Sequence, residues 1–283
     1  MAVVYILWGL PYQVVCYIVP GNVRSTPVSE LTIAPLARDF YARPTLMVAR
    51  ELLGKTLWHA TPDGVTAGVI VETEGYIAAI DPAAHGYHGK TKRTEVVYGP
   101  PGHMYVYFSY GMHHCCNAVT ETDGACAAVL IRALEPTQGI ELMRARRGPD
   151  IIDRDLLRGP GRLCQGMGIT LARNGADLAG GSLVISETPG WPAELNVMIT
   201  PRIGLTKATD LPWRFAVAGS QWVSGTRPGN WDFSEDDVAE EEPASATYAA
   251  ADVAPARRRI SRIDPDDSLA GSRDAHASWT NAE

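Results

Sequence analysis

The sequence lacks the motifs that mark the commonest nucleotide-cofactor and hydrolase sites. It contains no GxxxxGK[ST], no GxGxxG after a strand and no GxSxG, which argues against a P-loop enzyme, a Rossmann dehydrogenase and a serine hydrolase. No segment repeats with a period of 20–50 residues, so solenoids and propellers are excluded. With 46% hydrophobic and 20% charged residues in a chain of 283, the composition predicts a globular protein with a sizeable core.

Cysteine is scarce, and its spacing argues against cross-links. The chain has five cysteines, an odd number, of which Cys115 and Cys116 are adjacent, and it has no CxxC pair. A disulfide framework or a cysteine-ligated zinc site is built on paired spacings. The sequence therefore favours a reducing compartment such as the cytosol.

The net charge of −7 argues at first against a nucleic-acid partner, because phosphate binding requires Lys and Arg. The charge is unevenly distributed, however. Residues 231–283 hold five of the 25 Lys and Arg and thirteen of the 32 Asp and Glu, so this segment carries −8 and residues 1–230 carry +1. Acidic, Ala-rich composition is typical of disorder, and we predict a disordered tail over residues 229–283.

The first 20 residues contain no charged side chain. This run is as long as a membrane span, but Pro11 and Gln13 interrupt it, and no Lys or Arg precedes Arg24. A secretory signal would begin with positive charge and end at a small-residue cleavage site. We therefore expect no membrane anchor and interpret residues 1–30 as an apolar extension, or as the product of an upstream start codon.

The middle of the chain predicts short strands with interspersed helices. Residues 31–57 have helical spacing that stops at Gly54, and residues 67–76 alternate as a strand. Further predicted elements are strands at 104–108, 113–119 and 125–134, a hairpin tip at 109–111 and a helix at 137–147. This pattern favours one α+β domain over about residues 31–228.

Two carboxylates lie on one face of the strand at 67–76. Alternation places Ile70, Glu72, Glu74 and Tyr76 on that face. A carboxylate beside aromatic groups in a partly dry pocket can act as a general base toward water. The alternative is a solvated sheet face on which the glutamates make only surface pairs, and spacing alone favours that alternative.

Aromatic side chains are concentrated in the following strand. Tyr105 and Tyr107 share a face, and Tyr110 projects from the predicted hairpin tip. Bases stack on aromatic rings, and a side chain can wedge into a gap in the DNA stack. A tyrosine-rich edge of the core would give the same pattern, so both interpretations stay open.

Histidines and cysteines suggest a metal, but their spacing does not support one. The run HHCC at 113–116 is consecutive, and neighbouring side chains on a strand point to opposite faces. His85 and His88 add no second clear pair. We predict no metal site, and a metal-dependent hydrolase that uses His85, His88 and His113 remains as the alternative.

Together these segments resemble the alkyladenine (3-methyladenine) DNA glycosylases of the mammalian type, which also occur in bacteria. The resemblance runs from about Ala37 to Ser224, in the family's order and close to its spacing. The matching stretches are VETEGY at 71–76, DPAAH at 81–85, GPPGHMYVYFSYGM at 99–112, Asn117, DGAC…LIRALEP at 123–136, GPGRLCQGMGI at 159–169 and RFAVAGSQWVS at 214–224.

The resemblance implies a role for each matching site residue. Glu74 matches the general base that activates the water attacking the deoxyribose anomeric carbon. Tyr110 matches the residue that wedges into the duplex, Arg132 one that positions the flipped nucleotide, and Lys90 a loop cation that contacts phosphate. The residues that match the pocket for the flipped base are Tyr76, His85 and Tyr107, with Asn117 on its floor, where it disfavours guanine.

The resemblance also implies the fold and the partner. It implies a single α+β domain on a curved, mostly antiparallel, open-barrel-like β-sheet with surrounding helices, flanked by irregular tails. It implies a monofunctional glycosylase of base-excision repair that needs no cofactor and acts as a monomer on double-stranded DNA containing damaged purines. We expect it in the cytoplasm, at the nucleoid. A catalytically silent nucleic-acid-binding module on the same scaffold is the alternative.

Overall fold

The computed structural model describes residues 3–7, 13–18, 31–109 and 111–225. The predicted tail at 229–283 lies outside these ranges, so its disorder stays a prediction, as do the domain limits at 31 and 228.

Near the N-terminus, strands β1 (Val3–Leu7), β2 (Gln13–Ile18) and β3 (Leu31–Ile33) pair in antiparallel order. In the described ranges, no helix is long and apolar enough to cross a membrane.

One eight-stranded sheet contains the other strands of the described chain. Its strands are β4 (Thr56–Thr61), β5 (Gly64–Ile77), β6 (Met104–Ser109), β7 (His113–Thr120), β8 (Ala127–Gln138), β9 (Leu183–Ser186), β10 (Val197–Thr200) and β11 (Arg214–Val217). The order is β10-β11-β5-β8-β7-β6, and β4 pairs with both β5 and β9. All of these pairs are antiparallel.

Strand β5 determines the shape of the sheet. Its 14 residues pair along one edge with β8, while the other edge pairs first with β4 and then, over Glu72–Glu74, with β11. The sheet curls into a half-barrel, as strand twist favours for long strands. The predicted fold class, α+β on a curved antiparallel sheet, is confirmed.

Short helices cover the sheet. They are α1 (Arg38–Tyr41), α2 (Thr45–Glu51), α3 (Ile140–Arg147), α4 (Asp153–Leu156) and α5 (Pro160–Met167). The single helix predicted over 31–57 is wrong, because this segment contains β3, α1, α2 and the start of β4. Pro44, at the N-cap of α2, separates the two helices, since proline disfavours helical backbone in the residue before it.

The helix predicted at 137–147 begins later than expected, at Ile140. Strand β8 continues to Gln138, and Gly139 makes the change of direction with φ of +75°. A Cβ atom at this position would lie 2.3 Å from the carbonyl oxygen of Val65. Only glycine tolerates both the backbone angle and this close approach.

The two faces of the sheet bury different residues. On β6, Met104 and Val106 belong to the main hydrophobic core, where the helices pack, whereas Tyr105 belongs to a second, smaller cluster and Tyr107 packs against that cluster. Strand β7 returns against β6 as predicted, with Tyr105 opposite Asn117. Successive side chains of a strand point to opposite faces of the sheet. Tyr105 and Tyr107 therefore lie on the face opposite Met104 and Val106, and the candidate site lies on that face.

Candidate active site

Two glutamates on β5 lie in the protein interior. Glu72 and Glu74 are both 0% exposed, and their carboxylates contact arginines of the neighbouring strands β8 and β11. The alternative of a solvated face with surface pairs is therefore wrong. Burial of a carboxylate is costly unless the group is paired and hydrogen-bonded.

Ile70 does not share the face of these carboxylates. The register of β5 against β8 shifts between Ile70 and Glu72 and again between Glu72 and Thr73, and a β-bulge redirects the side chains that follow it. Ile70 packs in the main hydrophobic core. The predicted common face therefore begins at Glu72, because alternation assumes an unbroken strand.

Glu72 is held by two arginines. Its Oε1 accepts hydrogen bonds from Nε of Arg132 at 2.9 Å and from Nε of Arg214 at 2.7 Å. Its Oε2 accepts one from the backbone N–H of Ser224 at 2.6 Å. Burial alone would raise the pKa of Glu72, but the two guanidinium groups outweigh it and hold this pKa below its usual range. Glu72 is thus a fixed anion that takes up a proton poorly.

Glu74 has a different set of partners. Its Oε2 accepts hydrogen bonds from the hydroxyl of Tyr76 at 2.8 Å and from Nη1 of Arg132 at 3.1 Å. Its Oε1 accepts one from the backbone N–H of Ile203 at 2.8 Å. A carboxylate offers about four acceptor positions. Described residues fill three of them, two on Oε2 and one on Oε1, so one acceptor position on Oε1 is left.

A cavity with aromatic walls lies next to Glu74. Tyr76 lines the cavity and joins it to the carboxylate through its hydroxyl group. Tyr105 and Tyr107 line it too, with ring centroids 5.5 Å apart. The other lining residues are Ala83, Ala84, His85, Gly86, Val97, Asn117, Cys126, Ala128 and Leu205. Such a mainly apolar and aromatic lining with a few polar groups suits a flat organic ligand.

His85 reaches this cavity from the loop after β5. Its ring meets the ring of Tyr107 edge-on, with centroids 4.5 Å apart, and its Nδ1 lies 3.1 Å from the hydroxyl of Tyr105. Partial removal of the ring from water, and then the charge of Arg93, lower the pKa of His85. At neutral pH His85 is therefore uncharged and presents a neutral ring to the cavity.

Asn117 is fixed against the sheet at the cavity wall. It is 5% exposed, and its Nδ2 donates a hydrogen bond to the backbone carbonyl of Tyr105 at 3.1 Å. This bond sets the orientation of the side-chain amide. Asn117 therefore gives the cavity a rigid polar group.

A second buried ion pair supports the cavity from behind. Asp81 and Arg202, both with 0% exposed side chains, are joined by two hydrogen bonds of 2.5 and 2.9 Å. Arg202 also donates to the backbone carbonyl of Gly75 at 2.9 Å, and its Cζ lies 4.5 Å from the ring centroid of Tyr76. The pair therefore connects the loop that carries His85 to the end of β5.

Arg132, predicted to position the flipped nucleotide, lies inside the protein. It is 7% exposed, and three of its five N–H groups donate to Glu72, Glu74 and the hydroxyl of Ser224. Among described residues this leaves two N–H groups for a ligand. The structure brings Arg132 into direct contact with Glu74, which the resemblance alone did not imply.

The structure does not place the other two residues predicted to contact DNA at the cavity: Lys90 does not line it, and Tyr110 is not described. Lys90 is exposed, with its Nζ 4.0 Å from Glu95, in the loop where Arg93 lies over the ring of Tyr107 at 5.3 Å. Tyr110 lies outside the described residues, between β6 and β7. The predicted roles of Lys90 and Tyr110 stay predictions.

The histidine and cysteine run does not form a metal-ligand cluster. Within the described ranges, no three His, Cys, Asp or Glu side chains come together as a possible metal site. Cys115 and Cys116 are buried, and His113 is exposed at the start of β7.

Sequence reasoning gave no role to several residues that hold the site together. Arg214, Ser224 and Asp81 all fall in matching stretches, but Arg202 and Ile203 carried no signal. One available signal was charge. Two carboxylates on a buried strand require buried cations as partners. Arg214, in the matching stretch at 214–224, is one such cation.

Comparison with known proteins agrees with this arrangement. The model of the methylpurine-DNA glycosylase family matches residues 39–221. A protein of Burkholderia lata is 52% identical over 205 residues, which cover 71% of this chain and 97% of the relative. Proteins of Chlorobaculum tepidum and Methanoculleus marisnigri are 47% and 52% identical, covering 69% and 67% of this chain and 92% and 98% of the relatives. All three carry the name "Putative 3-methyladenine DNA glycosylase".

The family match includes β4 to β11 and every residue that lines the cavity. It also includes Glu72, Glu74, Arg132 and Arg202. The family predicted from the sequence is confirmed. The chain belongs to the methylpurine-DNA glycosylase family.

Proposed function

We propose that this protein removes damaged purines from double-stranded DNA by hydrolysing the N-glycosidic bond. One observation supports this most strongly: the hydroxyl of Tyr76, which lines the aromatic cavity, donates to the buried carboxylate of Glu74 at 2.8 Å. This hydrogen bond links a cavity that can hold a flat base to a carboxylate that can activate water. The relatives' names refer to 3-methyladenine, and we extend that substrate to this chain.

The cavity is suited to a base that has left the DNA stack. An enzyme that acts on a base inside a duplex must extrude the nucleotide, at a cost of a few kcal/mol. Tyr76, Tyr107 and neutral His85 offer π faces and edges for stacking. Alkylated purines are cationic, and aromatic rings attract cations. We infer that these three side chains receive the flipped base and favour a positively charged one.

Glu74 is proposed to act as the general base. A water bound at its Oε1 would give a proton to the carboxylate while the water oxygen bonds to the anomeric carbon. The N-glycosidic bond breaks, and its electron pair leaves with the purine. The carboxylate also stabilises the oxocarbenium-like transition state. Among described residues, no lysine lines the cavity, which favours simple hydrolysis to an abasic site.

The remaining predicted residues have proposed roles toward DNA. Arg132 would orient Glu74 and use its two remaining N–H groups on the flipped nucleotide. Lys90 would contact a phosphate from its exposed loop, and Tyr110 would fill the gap left in the duplex. Asn117 would disfavour guanine, whose exocyclic amine meets a rigid amide at the cavity wall.

The test uses the purified full chain and a panel of duplexes, each with one 7-methylguanine, one hypoxanthine or no lesion. DNA treated with a methylating agent supplies 3-methyladenine. We expect release of the damaged bases as free purines, with alkali-labile abasic sites in equal number, and no release from the undamaged duplex. Tight binding to the lesion duplexes without release of any base would overturn the proposal in favour of a silent binding module.

A further inference from the structure

We propose that the Asp81–Arg202 ion pair determines how strongly the cavity prefers a positively charged base over a neutral one. The inference rests on the proposed glycosylase function and deepens it. It assigns a specificity-determining role to two residues that touch neither the water nor the sugar.

Arg202 lies next to the ring of Tyr76. Its Cζ is 4.5 Å from the ring centroid of Tyr76 and 5.1 Å from that of Trp213, so the guanidinium lies over both aromatic rings. Tyr76 lines the cavity, whereas Arg202 has a 0% exposed side chain and does not. The guanidinium therefore lies over the ring of Tyr76 without itself lining the cavity.

Asp81 neutralises this guanidinium. Its two carboxylate oxygens accept from Nη1 and Nη2 of Arg202 at 2.5 and 2.9 Å, the two-pronged geometry of a strong charge-assisted pair. Asp81 is the only charged side chain among the described partners of Arg202, whose other hydrogen bonds go to backbone carbonyls. The carboxylate of Asp81 thus offsets the positive charge that lies next to Tyr76.

An uncompensated Arg202 would change the preference of the cavity in two ways. A cation on one face of a tyrosine ring draws on the same π electrons that attract a cationic base on the other. A neutral purine, by contrast, leaves with the electron pair of the broken bond and gains negative charge, which the uncompensated cation would stabilise. Both effects lower the ratio of cationic to neutral base release.

The size of the effect follows from distance. A base stacked on Tyr76 would lie about 8 Å from the guanidinium, with van der Waals contact assumed. At an effective dielectric constant of about 20, two unit charges at that separation alter a rate by about tenfold or more. Asp81→Asn is the suitable variant, because its amide oxygen can still accept from the backbone N–H of Ala83, as Oδ1 of Asp81 does at 2.9 Å.

The experiment measures single-turnover release of 7-methylguanine and of hypoxanthine from matched duplexes by the full chain. We expect the ratio of the two rates to fall about tenfold in Asp81→Asn. The ratio should return to within about threefold of wild type in Asp81→Asn/Arg202→Gln, where both charges are gone. Asp177→Asn is the matched control, because Asp177 pairs with Arg38 at the surface, at 2.8 Å, and its ratio should not change.

An equal loss of both rates in Asp81→Asn would overturn the inference, because it would mean that the pair only supports the fold. If thermal melting shows that Asp81→Asn is unfolded, Arg202→Gln tests the inference instead. We expect its ratio of 7-methylguanine release to hypoxanthine release to equal or exceed that of wild type, and a lower ratio contradicts the inference. Release of neither base by wild type would instead overturn the proposed function, and this inference with it.

Discussion

Arg132 donates a hydrogen bond from Nη1 to Oε2 of Glu74 at 3.1 Å, in a region where the two residues are 7% and 0% exposed. The pair belongs to a network in which Arg132 and Arg214 offset Glu72 and Glu74. Burial of an unpaired charge is costly. The two arginines therefore offset the charge of the two buried glutamates.

The first prediction concerns Glu72, which holds Arg132 and Arg214 together. Glu72→Ala leaves two buried guanidinium groups short of a partner, and we expect the free energy of unfolding to fall by about 3–5 kcal/mol. Urea denaturation measures this loss. Glu51→Ala is the control, because Glu51 pairs with Arg43 while 47% exposed, and such a pair contributes less than about 1 kcal/mol. Equal losses in the two variants would refute a structural role for the network.

The second prediction concerns His59 and pH. His59 is 1% exposed, with Nδ1 2.8 Å from the carbonyl oxygen of Met167, and burial lowers its pKa to about 4. Between about pH 6.5 and 4 the unfolded chain binds a proton at this residue that the folded chain does not, so stability falls as pH falls. At pH 5 this difference in proton binding lowers the free energy of unfolding by about 2 kcal/mol.

His59→Asn tests this prediction, because Asn can donate to Met167 but does not titrate. We expect wild type to lose about 2 kcal/mol more than His59→Asn between pH 7 and pH 5, measured by urea denaturation. The other titrating groups are common to both chains and cancel in the comparison. Parallel losses would mean that His59 does not have a lowered pKa.

The third prediction concerns the discrimination against guanine. The amide of Asn117 is fixed by its bond to the carbonyl of Tyr105, so it cannot turn away from an exocyclic amine. We expect Asn117→Ala to release guanine from undamaged DNA about tenfold faster than wild type. Chromatography of the released bases measures this, with adenine as the internal control. A rise in adenine release equal to that of guanine would point to a cavity that is merely larger.

Local patterns in the sequence predicted much of the sheet. The β6–β7 hairpin follows from the aromatic and β-branched residues on either side of Gly111, and the residues of β5 follow from alternation. The face shared by Ile70 and Glu72 could not be predicted, because a β-bulge depends on the pairing with β8 and not on β5 alone.

The site was accessible to sequence reasoning only in part. Tyr76, His85, Tyr107 and Asn117 were identified through the resemblance, and the structure brings them to one cavity. The partners that hold Glu74 and Tyr76 were not identified, because they are distant in sequence: Ile203 and Arg202 come from a loop between β10 and β11. Local periodicity carries no information on such contacts, which the curl of the sheet creates.

The central claim is that Glu74 activates the water that releases the base, and Glu74→Gln tests it most directly. Gln keeps the size and the acceptor oxygen of the side chain but cannot take up the proton. In single-turnover assays on a 7-methylguanine duplex, we predict a rate at least about 1,000-fold below that of wild type, with a cooperative melting transition that shows a folded protein and lesion-duplex binding within about threefold of wild type. A Glu74→Gln rate within tenfold of wild type would contradict the account.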